Sequence, residues 1–249
     1  EYLSAKLGKT FTVVPLDFQQ LPQWAKEKKV DFIITNSAMY AELNKLYGIQ
    51  AVATRIAQYK NQPLEQFGSV VIVPKDSPIN QLSDFRSKEF MCVDRDSFGG
   101  WLMTQQLFLA NGIDPDRELR SVLETQTHDN VVYAVLNGAV DGGTVRTSNL
   151  EKMAEEGKIK MGDFKIIHQI SDGYPLVHST RLYPEWPIAV TANVPANVKA
   201  EAAQALMSMN GEETAAKKAK ILGWRKPMDY SPVVDCLTKV QFGAFATKK

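Results

Sequence analysis

The sequence predicts an α/β protein of two lobes joined by two crossing strands, and three observations lead there. The chain has 249 residues, enough for one large domain or two smaller lobes with buried cores. Hydrophobic residues make up 44% and charged residues 23%, a globular balance that excludes disordered, collagenous and coiled-coil chains. Short apolar runs alternate with amphipathic stretches, the pattern of an α/β protein with largely parallel sheets.

The elements follow in order. Residues 11–16 (FTVVPL) read as a strand and 21–28 as a helix. The strand 30–35 (VDFIIT) ends in Asn36-Ser37, good N-caps for a helix over 39–47. Strands at 50–56 and 69–74 come next, then a turn and a short helix in KDSPINQLSDF. A second series opens with a strand at 89–94, a DSFGG loop, and a helix over 101–110 closed by Asn111-Gly112. A strand at 119–123, a helix over 129–136, a strand at 139–145, a helix over 148–156 and a strand at 164–169 complete it. From 175 the chain runs extended, and helices over 195–209, 212–222 and 231–240 finish it. Insertion of the second series between the first and a return segment places crossings near 69–75 and 176–190. It gives one lobe from 1–72 and 178–249 and another from 73–177. Such lobes leave a cleft, where small ligands bind and about which hinge closure occurs.

Charge and composition narrow the function. Twenty-nine basic against 28 acidic residues give +1, no field to draw nucleic acid or an anionic membrane. No apolar run approaches the roughly 18–20 residues of a membrane span, so the segment reads as soluble. The opening EYLSAKLG reads as mid-helix, so the expectation is that a beginning is missing. Cys92 and Cys236 are too few for a disulfide framework or a closed zinc site and read as free thiols. Cys92 lies in the apolar run EFMCVD, which suits an inert small hydrophobe better than a reactive thiolate. No HExxH, GxSxG, CxxC or Walker sequence occurs, so no enzyme and no cofactor or metal is expected.

Anions are held by the exposed N–H groups and positive end of a helix start, and three starts qualify. Ser97, Phe98, Gly99 and Gly100 precede one helix, where a hydroxyl and close-approaching backbone serve either an anion or a simple capped turn. Thr35, Asn36 and Ser37 open another, equally well as plain caps. Thr127 and His128 open a third, where a lone His is usually structural. Arg146, followed by Thr147, suits a bidentate oxyanion pair or an ordinary ion pair, and Arg181 divides the same way. Tyr59, Phe67, Tyr174 and Trp186 read as cleft walls or as core and hinge packing.

FGSVVIVPKDSPINQLSDF resembles the hinge-strand signature of the phosphonate-binding type of periplasmic solute-binding protein. DSFGGW resembles that family's loop at a helix start, and THDNVVYAVLNGAVDGGTV its His-containing helix and following strand. VPLDFQQL, TNSA, LEKMAEEG and STRLYPEWPIA are closer to the extracytoplasmic sensor domains of tetrathionate-type histidine kinases. The resemblance covers nearly the whole chain and implies a two-lobed type II periplasmic-binding-protein fold with an interlobe cleft. It also implies that His128 and Phe67 face that cleft. Two departures stand out. The family's first strand, which precedes EYLSAKLG, is absent, and an acidic amine-pairing position aligns with Ser148, two residues after Arg146. A hydroxyl there argues against an aminophosphonate and for a more purely anionic ligand.

The reading implied is an extracytoplasmic sensor domain that closes on a small anion such as a sulfur oxyanion. It signals to a membrane histidine kinase in the same chain, and the periplasmic domain is membrane-tethered in the full-length protein. The alternative is an ABC-transporter binding protein that serves a permease and carries phosphonate- or phosphite-like oxyanions. A thiol-bearing peptide stays open as a ligand, and an uncovered sheet edge leaves a homodimer open.

Overall fold

The computed structural model describes residues 1–60 and 62–247, and its chain divides into two units. One comprises Glu1–Gln66, Tyr183–Asp235 and the stretch from Gln241; the other comprises Phe67–Leu182 and Cys236–Val240. The first passage falls at 66/67 and the return at 182/183, where the sequence reading puts 72/73 and 177/178.

The first segment carries α1 (Tyr2–Leu7), α2 (Gln20–Lys26), β1 (Phe32–Ile34), α3 (Ser37–Tyr47), β2 (Gln50–Tyr59) and β3 (Gln62–Leu64), with β4 (Gln66–Phe67) at the passage. The second unit follows with β5 (Ser69–Pro74), β6 (Glu89–Cys92), a π-helical turn at Phe98–Leu102 and α4 (Met103–Ala110). It continues through α5 (Pro115–Glu118), β7 (Ser121–Glu124), α6 (His128–Leu136), β8 (Gly142–Arg146), α7 (Asn149–Glu155) and β9 (Phe164–Ile167). The return adds β10 (Tyr183–Pro184), β11 (Pro187–Val190), α8 (Ala196–Met207), α9 (Thr214–Ala219), β12 (Ile221–Arg225) and α10 (Ser231–Lys239).

In the first unit the strands run β1-β11-β2-β12 with β3 on β2, and every described pairing is antiparallel. The second unit orders β7-β6-β8-β5-β9, with β6 parallel to β7 and β8 and β5 antiparallel to β8 and β9. The expectation of largely parallel sheets is therefore corrected. Parallel pairing needs crossover connections, which α4 supplies from β6 to β7 and α6 supplies from β7 across β6 to β8, whereas β5 lies antiparallel between β8 and β9.

Burial explains most placements. The VVIV run of β5 is fully buried, as a strand covered on both faces requires. Val70, Ile72, Val131, Val135, Val145 and Leu150 form the second unit's core. Val52, Ile188, Leu206, Ile221 and Trp224 do the same in the first.

Two segments differ from expectation. Residues 11–16 form no strand: Val13 is 84% exposed, and no described strand lies alongside to complete a ladder. Residues 212–222 were expected as one helix, but α9 stops at Ala219, Lys220 turns left-handed, and Ile221 begins a strand on β2. Ile221 and Trp224 gain more from sheet burial than from another helical turn. Cys92 and Cys236 are both buried, and neither takes part in a disulfide among the described residues. No described helix is long and apolar enough to cross a membrane.

Two predictions follow from the packing. A Cβ on Gly143 would stand 2.6 Å from Val131 Cγ1 and 2.9 Å from the Met91 carbonyl oxygen, so Gly143→Ala should destabilise by about 1–3 kcal/mol in urea unfolding. Burial pushes the Cys92 thiol up to about 12, so aromatic-disulfide labelling near neutral pH should be slow and should accelerate with urea as the chain unfolds.

Candidate functional site

The second unit gathers several candidates around the start of α4. Ser97 ends the loop after β6 in extended backbone, and its carbonyl accepts from Trp101 N at 2.8 Å and Leu102 N at 3.1 Å. Its Oγ accepts from Gly100 N at 3.1 Å, leaving the hydroxyl hydrogen to donate elsewhere. The wide π turn opens the helix start, a geometry found often at functional sites. Gly100 leaves no room for a Cβ, and Gly99 leaves little. A Cβ on Gly99 would meet Phe67 Cε2 at 3.0 Å and Arg146 Cβ at 3.3 Å; one on Gly100 would meet Ser97 Oγ at 2.6 Å. Ser69 Oγ donates to the Gly99 carbonyl at 2.8 Å and ties the turn to the start of β5.

Arg146 ends β8, opposite Ser69 in the register. Its guanidinium lies 4.2 Å above the Phe67 ring, and Phe67 meets Phe98 edge-to-face at 6.0 Å. A guanidinium over a ring face is held there by cation–π attraction, and its planar fork of N–H groups is of the kind that suits a bidentate oxyanion. The Arg146 backbone N–H donates to His128 Nδ1 at 3.2 Å. That bond sets Nδ1 as the acceptor and places the ring proton on Nε2. Burial and then the neighbouring Arg146 charge push the His128 imidazole down to about 4, so it is a neutral donor at ordinary pH. Thr127 caps α6 through Oγ1, which accepts from Asn130 N at 3.2 Å. Thr147 is tied to Gly68: its N–H donates to the Gly68 carbonyl at 3.0 Å and its Oγ1 accepts from Gly68 N at 3.3 Å.

Other candidates lie elsewhere. Tyr174 sits on the 170–178 loop with its ring 5.5 Å from His178. Arg181 is exposed, and its carbonyl accepts from Thr180 Oγ1 at 3.0 Å. In the first unit Thr35, Asn36 and Ser37 are buried at the start of α3. Asn36 Oδ1 accepts from Ala38 N and Met39 N, both at 3.0 Å, and Ser37 Oγ donates to the Pro184 carbonyl at 2.6 Å. Asn36 and Ser37 are thereby engaged in holding the helix. Tyr59 is half-buried at the end of β2, with the Lys60 ammonium 5.2 Å from its ring. Ser148 adopts a left-handed conformation and makes no side-chain cap bond.

Sequence reasoning missed a buried polar network in the first unit. The Arg55 guanidinium pairs with Glu185 Oε2 at 2.6 Å and lies 4.8 Å from the Trp186 ring. The Glu185 side chain is only 1% exposed, and its carbonyl accepts from Tyr230 Oη at 2.7 Å. Tyr230 Oη also meets Thr54 Oγ1 at 2.9 Å, and burial raises this phenol's pKa. The signal was a Glu between aromatic and proline residues in YPEWP. Among the described residues no group of three or more His, Cys, Asp and Glu side chains is arranged to hold a metal ion.

The family model described as "ABC transporter, phosphonate, periplasmic substrate-binding protein" matches residues 1–231. The chain is 28% identical over 235 residues to the tetrathionate sensor histidine kinase TtrS of Salmonella typhimurium, covering 94% of this chain but 38% of that protein. Among solved structures, XAC2383 from Xanthomonas citri bound to ATP superposes with a TM-score of 0.76 at 18% identity, over 96% of this chain and 90% of the other. PhnD1 from Prochlorococcus marinus in complex with methylphosphonate gives 0.73 at 14% identity, over 96% and 89%. With the family model matched along nearly its entire length, the chain belongs to the phosphonate-binding family of periplasmic substrate-binding proteins.

Proposed function

We propose that this periplasmic-family binding domain senses a small anionic solute, of which a sulfur oxyanion is one example, and reports it to a membrane histidine kinase. The observation that carries the reading is Arg146. Its guanidinium is stacked on Phe67, and its backbone N–H fixes His128 as a neutral Nε2–H donor. Gly99 packs against the same side chain, so the helix-start amide, hydroxyl, imidazole and guanidinium belong to one cluster. The cluster's hydroxyls and imidazole turn their acceptor atoms to backbone N–H groups, which leaves hydrogens to offer an anion. Kinase coupling is supported by the likeness to TtrS along most of this chain, and membrane tethering would follow from it. A second reading, delivery of phosphonate- or phosphite-like oxyanions to an ABC permease, is supported by the family's own description. The full-length gene separates the two: a membrane span with a kinase module after Lys249 favours the sensor, and a stop codon there favours the carrier.

A thermal-shift screen of sulfur oxyanions, phosphonates and thiols tests the ligand class, since ligand at about 100 times its Kd adds about 2.7 kcal/mol of stability. Arg146→Ala should weaken the hit about tenfold to a hundredfold by removing a charge-assisted contact, and Ser97→Ala should weaken it about fivefold. Unchanged affinity in both variants would place the ligand elsewhere.

The His128 ring also predicts a pH dependence. Its folded value of about 4 lies below the ordinary 6.5, so on acidification the unfolded chain takes up the proton first. Stability from this group is complete above about 6.5 and falls as the pH drops toward 4, by roughly 3 kcal/mol in all. His128→Gln should flatten that limb of a stability-against-pH curve measured by urea unfolding.

A further inference from the structure

We propose that His178 is a proton-operated clasp that fastens the 170–178 loop of the second unit and loosens it when the ring loses a proton. The side chain is 1% exposed, and each ring nitrogen faces an oxygen. Nδ1 stands 2.8 Å from the Thr180 carbonyl oxygen, and Nε2 stands 3.1 Å from Asp172 Oδ1. A carbonyl and an ionised carboxylate only accept, so both bonds exist together only when both nitrogens carry hydrogen. A neutral imidazole has a single N–H. Whichever nitrogen gives up its proton then points a lone pair at an oxygen lone pair in a buried place.

The clasp joins the loop's tip to its stem. Ile170 N donates to the His178 carbonyl at 2.9 Å and closes the base. Asp172 Oδ1 also accepts from Tyr174 N at 3.0 Å, and the Tyr174 ring stands perpendicular to the imidazole. The stem continues into Ser179 and Thr180, whose N–H groups donate to the Ser69 carbonyl on β5 at 2.8 and 3.3 Å. The other two histidines differ. His128 Nδ1 accepts from a backbone N–H, and His168 Nδ1 faces only the Ser179 carbonyl at 2.8 Å, so one proton satisfies each of these bonds.

The titratable groups around the clasp are Asp172 and Tyr174 on the loop, Glu151 on α7 and His168 just after β9. Glu151 Oε1 accepts from Val177 N at 2.9 Å, and burial pushes its carboxyl up. The Tyr174 N–H and the imidazole hold the Asp172 carboxyl below its ordinary value, so it stays an ionised acceptor at neutral pH.

Nitrogen-15 NMR of the imidazoles and hydrogen exchange of the Ile170 and Tyr174 amides, on the 249-residue chain, test the clasp. At about pH 5.5 both His178 nitrogens should carry protons, and the two amides should be about fivefold better protected than at about pH 8.5 after correction for intrinsic rates. Asp172→Asn, at a half-exposed side chain the fold tolerates, should remove the difference, and His168→Gln should leave it intact. A single N–H on His178 at the lower pH, equal protection at both, or a pH effect that survives Asp172→Asn would overturn the proposal.

Discussion

Ser69 is the residue on which the second unit's organisation turns. It is fully buried at the start of β5 and uses all its polar atoms. Its N–H donates to Thr180 Oγ1 at 2.9 Å, its hydroxyl to the Gly99 carbonyl at 2.8 Å, and its carbonyl accepts from Ser179 and Thr180. In the ladder it faces Arg146. One small residue, through its backbone and its hydroxyl together, thereby locates the α4 start, the end of β8 and the return segment against the same strand. Removing the hydroxyl would take away a buried hydrogen bond to the Gly99 carbonyl, a loss of about 1 kcal/mol.

The electrostatics of the cluster follow from that arrangement. Arg146 brings its charge beside His128, and burial and that charge act in the same direction on the ring, both disfavouring imidazolium. The Phe67 ring covers one face of the guanidinium, and Phe98 meets Phe67 edge-on. On the proposed reading, this guanidinium and the neutral donors of fixed direction beside it would meet an oxyanion by geometry as much as by charge.

The fold class was legible because its signals are local and strong: the VVIV run, the helix caps and the glycine-closed helix ends all specify elements from short stretches. Residues 11–16 and 221–225 were not legible, since an apolar run becomes a strand only where a neighbour offers a ladder, and that is a tertiary fact. For the candidate site, the sequence supplied Ser97, the two glycines, His128 and Arg146 as residue types at helix and strand ends. It did not supply what joins them. The bond from Arg146 N to His128 Nδ1 spans 18 positions, and Ser69 reads in sequence as an unremarkable first residue of a strand. The Arg55–Glu185 pair lies 130 positions apart, so only its YPEWP half announced itself.

The crowding at Gly99 and Gly100 has an evolutionary consequence. A Cβ at 99 would press on Phe67 and Arg146 together and need them to yield by a few tenths of an ångström, and one at 100 would collide with Ser97 and Val93. If the cluster binds as proposed, these two positions leave little room for gradual retuning to a different guest. Drift in specificity would then enter through neighbours with room to vary, of which Ser148, in its left-handed turn two residues beyond Arg146, is one.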